Sequence, residues 1–294
     1  MGIGELAAFG TALCWTVTVM SFEAAGRRVG SVPVNFLRLL AGLAFLTVFS
    51  LISRGKALPL DAGRHAWIWL SLSGIVGFVL GDLCLFRAFV LIGSRISMVI
   101  FTLVPPITAV TSWAILGETL SARTWLGMGV TIAGISLVVL TKSRGEPMRL
   151  AHPLGGILLA LLGSAGQAVG LVLSKYGMGD MNAFSATQIR IAAAAVTFLL
   201  VLPAIGFTGR VRRAVSNRRA MGQMTLGAFF GPFLGVSLSL VAVHNVEAGV
   251  AATIMAMVPV FLIPPEVLIM GKRVRSLEVV GALVAVGGVA LVSL

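Results

Sequence analysis

The segment SLSGIVGFVLGDLCLFRAFVLIG, residues 71–93, is long and apolar enough to cross a lipid bilayer, yet it carries Asp82 and Arg87. A carboxylate in the hydrocarbon interior is costly, and the short side chain of Asp82 cannot reach the interface from that depth. The longer side chain of Arg87, nearer the end of the segment, is expected to extend to the interface. The segment is therefore predicted to be a membrane span with one polar point in its interior.

The rest of the chain is equally apolar, with 58% hydrophobic and only 11% charged residues. Soluble domains carry about 25% charged residues, so this chain is predicted to be an all-α integral membrane protein. The apolar runs are too long and too uniform for barrel strands. They leave no room for a separate soluble domain. We predict ten transmembrane helices, at residues 3–25, 33–53, 66–92, 94–116, 122–141, 154–174, 184–208, 221–244, 247–270 and 276–294.

Positive charge is distributed unevenly between the loops. Of the 22 Lys and Arg residues, three lie well inside predicted spans, fourteen lie in or at the edges of the loops that follow the odd-numbered spans, and five lie in or at the edges of the opposite loops. This bias predicts cytoplasmic basic loops, against anionic lipid headgroups, and both termini outside. We expect a multi-pass protein of the cell inner (plasma) membrane. Nucleic acid is not an expected partner, because no basic soluble module exists to bind it.

Motifs for metal binding and catalysis are missing from the sequence. Cys14 and Cys84 both fall inside spans without C-x-x-C spacing, and the three histidines are scattered. The chain lacks H-E-x-x-H, G-x-S-x-G and the phosphate-binding G-x-x-x-x-G-K-[ST]. We therefore expect no catalytic residues, no metal, no cofactor and no enzyme activity.

The chain repeats itself at a distance of 154 residues. The pairs that match at this distance are Gly77 and Gly231, Gly81 and Gly235, Ala88 and Ala242, Pro105 and Pro259, Gly117 and Gly271, Gly127 and Gly281, and Gly134 and Gly288. Further upstream the offset is 152, where NFLRLLAG (35–42) resembles TQIRIAAA (187–194) and Arg38 aligns with Arg190. We predict two repeats, at 1–141 and 154–294, joined by a cytoplasmic linker at 142–153. Each holds five spans, an odd number, so the halves are inverted, as in alternating-access transporters with a site near the bilayer midplane.

Glycines and prolines shared by the halves predict helix packing and bending. Gly77, Gly81, Gly231 and Gly235 form small-xxx-small ridges that allow close helix contact, as static packing or as a sliding surface. Pro105 and Pro259 each remove a backbone donor in mid-span. We predict a kink at each, acting as a hinge, as a polar lining of a cavity, or as a simple bend.

The closing segments of the two halves, 97–140 and 250–294, resemble EamA-type repeats of the drug/metabolite transporter superfamily. The first carries the mid-helix Pro105, LGE at 116–118 and a Gly-rich last helix, and Trp15 also fits. The second has MGK at 270–272, with Lys272 in place of the acid. The resemblance is strongest to YddG-type exporters of aromatic and other amino acids. It implies a ten-helix basket around a central cavity, lined mainly by helices 1, 3, 4, 6, 8 and 9. Because both halves lie in one chain, a monomer suffices.

Asp82 is the leading candidate for substrate contact, because its copy in the second repeat is Val236 and the scaffold evidently does not need the charge. It is predicted to bind a substrate ammonium group or to titrate. The alternative is a structural acid bonded to a hydroxyl or an Arg on a neighbouring helix. Phe78 and Phe86, four residues to either side, are expected to share its face. The full set of predicted substrate-binding residues is Trp15, Thr18, Phe78, Asp82, Phe86, Ser97, Phe101, Gln167, Ser239 and Met255.

Four cationic residues near span ends, Arg38, Lys175, Arg190 and His244, are expected to be interfacial anchors. An apolar, aromatic-lined cavity with few polar groups suits an amino acid. The inverted repeat favours a secondary transporter, and the resemblance implies that it exports small metabolites, chiefly aromatic and other neutral amino acids, and toxic organic cations. The alternatives are a sugar-phosphate or nucleotide-sugar carrier of the same superfamily, and a membrane channel.

Overall fold

The structure, a computed structural model, describes residues 2–142, 153–204, 206, 208–268, 271 and 274–293. The predicted linker, apart from its end residues 142 and 153, and Lys272 lie outside the described residues. Within these residues the chain is helical and has no strand. Ten helices are long and apolar enough to span a membrane: α1 (Ile3–Val29), α2 (Ser31–Arg54), α3 (Arg64–Gly93), α4 (Ile96–Leu116), α5 (Ala122–Thr141), α6 (Leu154–Met178), α7 (Ala183–Pro203), α8 (Arg218–Asn245), α9 (Ala248–Leu268) and α10 (Ser276–Ser293).

The ten helices confirm the predicted fold class. A short additional helix, Thr208–Val215, precedes α8 and carries three arginines. A glycine with a left-handed backbone lies beyond the last described residue of both α4 and α9: Gly117 (φ 71°) directly after Leu116, and Gly271 (φ 63°) three residues after Leu268. These two residues are 154 positions apart, so the repeat extends to the way the helices terminate.

Two irregular helical segments also repeat at 154 residues. Helix α3 is π-helical over Ile75–Gly81, and α8 is π-helical over Phe229–Gly235. Helix α4 is interrupted at residues 102–103 and α9 at residues 256–257. After each interruption, Pro105 and Pro259 occupy the first turn of the next helical piece, where the missing N–H is not needed. Both halves therefore contain the same backbone irregularities at equivalent positions.

The halves are interlocked. Helix α3 packs against α6 and α7 of the second half, while α8 packs against α1 and α2 of the first. Helices α5 and α10 pack closely along glycines: a methyl group at Gly281 would lie 2.8 Å from the carbonyl oxygen of Gly134. Nearly every close helix contact thus joins one half to the other.

Matching contacts establish the structural equivalence of the halves. A methyl group at Gly235 of α8 would meet the ring of Trp15 at 2.7 Å, and one at Gly81 of α3 would meet the backbone of Gln167 at 3.4 Å. Trp15 and Gln167 are 152 positions apart, and the two glycines are 154 apart. The contact of Gly231 with Thr18 likewise corresponds to that of Gly77 with Gly170. Two five-helix units of opposite direction therefore share one set of contacts.

Candidate functional site

A polar cluster surrounds the end of the first π-helical segment. Asp82, 8% exposed, forms an ion pair with Arg38 of α2. Gln167 of α6 donates through Nε2 to Asp82 Oδ1 (2.8 Å) and to the carbonyl oxygen of Gly77 (3.1 Å). Three helices from both halves thus meet at one carboxylate in the membrane interior. Two of the predicted site residues, Asp82 and Gln167, are in direct contact.

Arg38 is held by more than the carboxylate. Its Nε donates to Asn35 Oδ1 at 2.7 Å, and its guanidinium lies 5.7 Å from the centre of the Phe22 ring. Asp82 therefore has the arrangement that the alternative interpretation predicted, an acid bonded to an Arg of a neighbouring helix. The expectation of interfacial anchoring is wrong for Arg38, whose charged end points to a buried acid.

Phe78, four residues before Asp82, has a different partner. The backbone carbonyl of Gly77 and the carboxylate of Asp82 both accept from Gln167. Phe78 packs under the guanidinium of Arg190, which lies 4.8 Å from its ring centre. The predicted common face of Phe78 and Asp82 therefore stays a prediction, and their described contacts are with different helices.

Arg190 is buried in α7 and only 4% exposed. The expectation of interfacial anchoring is wrong for this residue too, because its side chain runs towards α3 and not to the surface. Among the described residues, no carboxylate lies within ion-pair distance of it, and its Nε has no hydrogen-bond acceptor. It is thus a buried cation for which the described residues provide no anion.

Two of the three polar residues have apolar counterparts in the second half. Val236 follows the second π-helical segment as Asp82 follows the first, and Trp15 occupies the position equivalent to Gln167. Trp15 is half-buried and packs against Gly235. The two halves therefore present different chemistry on the same backbone: an acid and an amide in the first half, and an aliphatic side chain and an indole ring in the second, while each half has its own arginine.

The remaining predicted site residues have other described contacts. Three hydroxyls, those of Thr18, Ser97 and Ser239, donate to backbone carbonyls three or four residues earlier in the chain at 2.7–2.8 Å. Phe86 packs edge-on against Phe89. Phe101 and Met255 are the last helical residues before the interruptions in α4 and α9.

A second charged cluster closes one end of the bundle. Glu118, between α4 and α5, accepts from Lys175 Nζ of α6 (2.5 Å), from the backbone N–H of Ala248 (2.8 Å) and from the hydroxyl of Ser112. Lys175 also donates to the carbonyl oxygen of Val246 at 2.7 Å. The cluster ties the α4–α5 turn, the end of α6 and the α8–α9 turn together.

Burial alone would raise the pKa of Glu118, but the hydrogen bonds from Lys175, Ser112 and Ala248 hold the pKa of this carboxyl below its ordinary value. The carboxylate is therefore charged throughout the physiological range. Lys175, expected to be an interfacial anchor, is its ion-pair partner. We name these residues, Ser112, Glu118, Lys175, Val246 and Ala248, the end latch.

Sequence reasoning missed Arg38, Arg190 and the Glu118–Lys175 pair as parts of polar clusters. The repeat contained a usable signal for the arginines, because Arg38 and Arg190 align although each is the eighth residue of an apolar helix. The described residues contain no group of three or more His, Cys, Asp or Glu side chains that could hold a metal ion.

Ten membrane-crossing helices in two matched, oppositely directed halves, with charged residues at their interior contacts, define a multi-pass membrane protein of the inverted-repeat transporter class. The chain belongs to the EamA-like transporter family, whose sequence profile matches residues 2–140 and again residues 154–294. It is therefore a membrane transporter.

A solved crystal structure of another protein has the same fold. It superimposes with a TM-score of 0.76 at 18% sequence identity, over 98% of this chain and 95% of the other. At this identity the likeness concerns the fold alone. Among curated proteins, none matches this chain in sequence.

Proposed function

We propose that the protein is an alternating-access secondary transporter that exports aromatic and other neutral amino acids across the cell inner membrane, and organic cations of similar shape. The observation that carries this proposal is the unequal chemistry of the two equivalent places after the π-helical segments. Asp82, Arg38 and Gln167 offer charges and hydrogen bonds, while Trp15 and Val236 offer apolar surface. An amino acid with an apolar side chain likewise has charged, hydrogen-bonding groups at one end and an apolar surface at the other.

Asp82 is the proposed partner for the substrate ammonium group. Its carboxylate is already paired with Arg38, so an incoming ammonium replaces one cation by another. A carboxylate without either cation would be costly at this depth. The exchange would couple substrate arrival to the release of Arg38 from α3, and thus to a relative movement of α2 and α3.

The interrupted helices supply the proposed moving parts. Pro105 and Pro259 follow the breaks in α4 and α9 at equivalent positions, and the glycine contacts of α3 with α6 and of α8 with α1 allow helices to slide.

The basic loops, including the helix Thr208–Val215, are proposed to face the cytoplasm and anionic lipid, with both termini outside. In that orientation the end latch closes the outer side. A monomer contains both halves and suffices.

The test is counterflow. Protein is reconstituted in liposomes preloaded with unlabelled threonine, methionine or phenylalanine, and uptake of the labelled amino acid is followed beside Asp82→Asn, with and without a pH gradient. Accumulation without a gradient in the wild type, lost in folded Asp82→Asn, is the expected result. A dependence on the gradient that the substitution removes would assign Asp82 to proton coupling.

A sugar-phosphate carrier is the second candidate, because Arg190 is a buried cation without an acid partner among the described residues. The same liposomes, preloaded with a hexose phosphate, decide between the two. Exchange of the phosphate ester with no amino-acid counterflow would replace the amino-acid proposal. Flux that continues without a counter-substrate, at rates typical of open pores, would favour a channel.

A further inference from the structure

Arg190 is the strongest unexplained group in the bundle. Its side chain is 4% exposed, and its guanidinium packs 4.8 Å from the centre of the Phe78 ring. The N–H donors of a guanidinium lie in its plane, and the ring offers them no acceptor in that plane. In the part of the chain that the structure describes, Nε is enclosed without a partner. A buried charged donor is normally paired, so the group calls for an anion.

The first half shows which anion the scaffold accepts. Arg38, the repeat copy of Arg190, is paired with the carboxylate of Asp82 and with the side-chain oxygen of Asn35. In the second half, Val236 replaces Asp82 and Thr187 replaces Asn35. Among the described residues, a carboxylate pairs with Arg38, and none pairs with the equivalent Arg190.

Thr187 adds a second unsatisfied group on the same side of α7. It lies three residues before Arg190, a spacing that places two side chains on one helix face. Its hydroxyl is fully buried and, among the described residues, has no hydrogen-bond partner. A guanidinium and a hydroxyl on adjacent turns can donate together to a ligand with two acceptor oxygens.

We propose that Arg190 and Thr187 bind the carboxylate of the transported substrate. This carboxylate would pair with Arg190 as the carboxylate of Asp82 pairs with Arg38. This inference rests on the proposed amino-acid export, and it adds the anion half of the substrate site. Arg38 and Asp82 neutralise each other, so Arg190 leaves one positive charge. One charge matches the single negative charge of a carboxylate, whereas a phosphate monoester brings nearly two. The substrate class is therefore carboxylates with an apolar body.

The experiment compares three ligands that differ only in their polar ends: phenylalanine, phenylalaninamide, which lacks the carboxylate, and 3-phenylpropionate, which lacks the ammonium group. Each competes with labelled phenylalanine in the counterflow assay. The proteins are the wild type, Arg190→Gln, Thr187→Val and, as a matched control, Arg87→Gln, whose side chain is exposed. Thr187→Val keeps the side-chain shape, so it reports even if the Arg190 variant folds poorly.

The wild type and Arg87→Gln are expected to prefer phenylalanine over its amide by at least about tenfold, the range for one charge-assisted hydrogen bond. Arg190→Gln should reduce that preference to about twofold or less, and Thr187→Val should reduce it by a smaller factor. A preference that survives unchanged in both variants would overturn the inference.

Thermal stabilisation in detergent by 3-phenylpropionate separates this inference from the proposed function. If the wild type exchanges no amino acid, yet 3-phenylpropionate stabilises it and not Arg190→Gln, the carboxylate site stands and amino-acid export falls. If no carboxylate stabilises the wild type, or inorganic phosphate stabilises it more strongly than the carboxylate, the carboxylate site is wrong.

Discussion

The two π-helical segments, Ile75–Gly81 in α3 and Phe229–Gly235 in α8, have the same length and the same place in the repeat, yet they have opposite surroundings. The first leads into Asp82, Gln167 and Arg38, and the second into Val236 beside Trp15. The backbone is conserved between the halves while the side chains diverge. Under the proposed alternating access, the shared backbone would serve the movement of the two halves, and the differing side chains would serve recognition of the ligand.

The largest effect is expected from a substitution that makes the first half resemble the second. Asp82→Val leaves Arg38 without its acid, and removal of one partner of a buried pair costs about 3 kcal/mol or more. We expect a large loss of thermal stability in detergent and loss of counterflow. Asp82→Val with Arg38→Met should regain stability but not transport. If the single substitution is as stable as the wild type, the ion pair does not hold α2 to α3.

Equivalent glycines should differ in their tolerance of a methyl group. At Gly235 a Cβ would meet the Trp15 ring at 2.7 Å and the carbonyl oxygen of Phe230 at 2.8 Å, so Gly235→Ala should destabilise by about 2 kcal/mol. At Gly81 the contacts are 3.3 Å or longer, and alanine favours helix by up to about 1 kcal/mol. Gly81→Ala should therefore be nearly neutral. Unfolding in denaturant measures the free energy of unfolding of both variants. Equal losses of stability at the two positions would contradict the predicted difference between their contacts.

The end latch is a second difference between the halves, because the first repeat carries Glu118 where the second carries Lys272. Lys175→Met removes one charge-assisted hydrogen bond from Glu118, which should enlarge the open population at this end about tenfold. Spin labels at the exposed positions Thr119 and Glu247, one in each turn, report the opening as a distance distribution. Exposed Glu23→Gln is the matched control.

The pH dependence of the same distance follows from the lowered pKa of Glu118. Because the folded pKa lies below the ordinary value of 4.5, the latch is fully formed above that value and is lost only as the pH falls through the lower, folded pKa. The label distance should be constant from about pH 5 to pH 8. A change near pH 7 would exclude Glu118 as the titrating group.

The smallest effect is expected from Arg87→Gln. Arg87 shares the opening segment with Asp82, but its side chain is exposed near the end of α3. Substitutions at such positions change stability by less than about 0.5 kcal/mol. Counterflow rates within about twofold of the wild type would agree, whereas a loss as large as that of Asp82→Asn would assign Arg87 a place in the transport path.

Span number, helix type and the twofold repeat could be predicted from the sequence, because bilayer thickness and glycine spacing are local properties of the chain. The side-chain partners could not. Arg38 and Asp82 are 44 residues apart, and Glu118 and Lys175 lie in different halves, so their pairing depends on helix packing that no local pattern encodes. Arg190 looked like an anchor because charges near span ends usually are.

The irregular backbone of α3 could not be predicted either. The prediction counted residues in steps of an α-helix, whereas Ile75–Gly81 is π-helical. No residue type in Ile75–Gly81 requires such a turn. The repeat of the segment at Phe229–Gly235 is visible only once the backbone is known.

The interlocking of the halves has a consequence for biosynthesis. Helix α3 finds its partner in α6, whose last residue, Met178, leaves the ribosome 85 residues after Gly93, the last residue of α3. At about 5 to 20 residues per second, that delay is roughly 4 to 17 seconds. During this time the glycine face of α3 and the carboxylate of Asp82 lack the Gln167 contact that they have in the finished protein. The first half is thus inserted before α3 can make its contacts with α6, and we expect truncated chains that end before α6 to be substrates for membrane quality control.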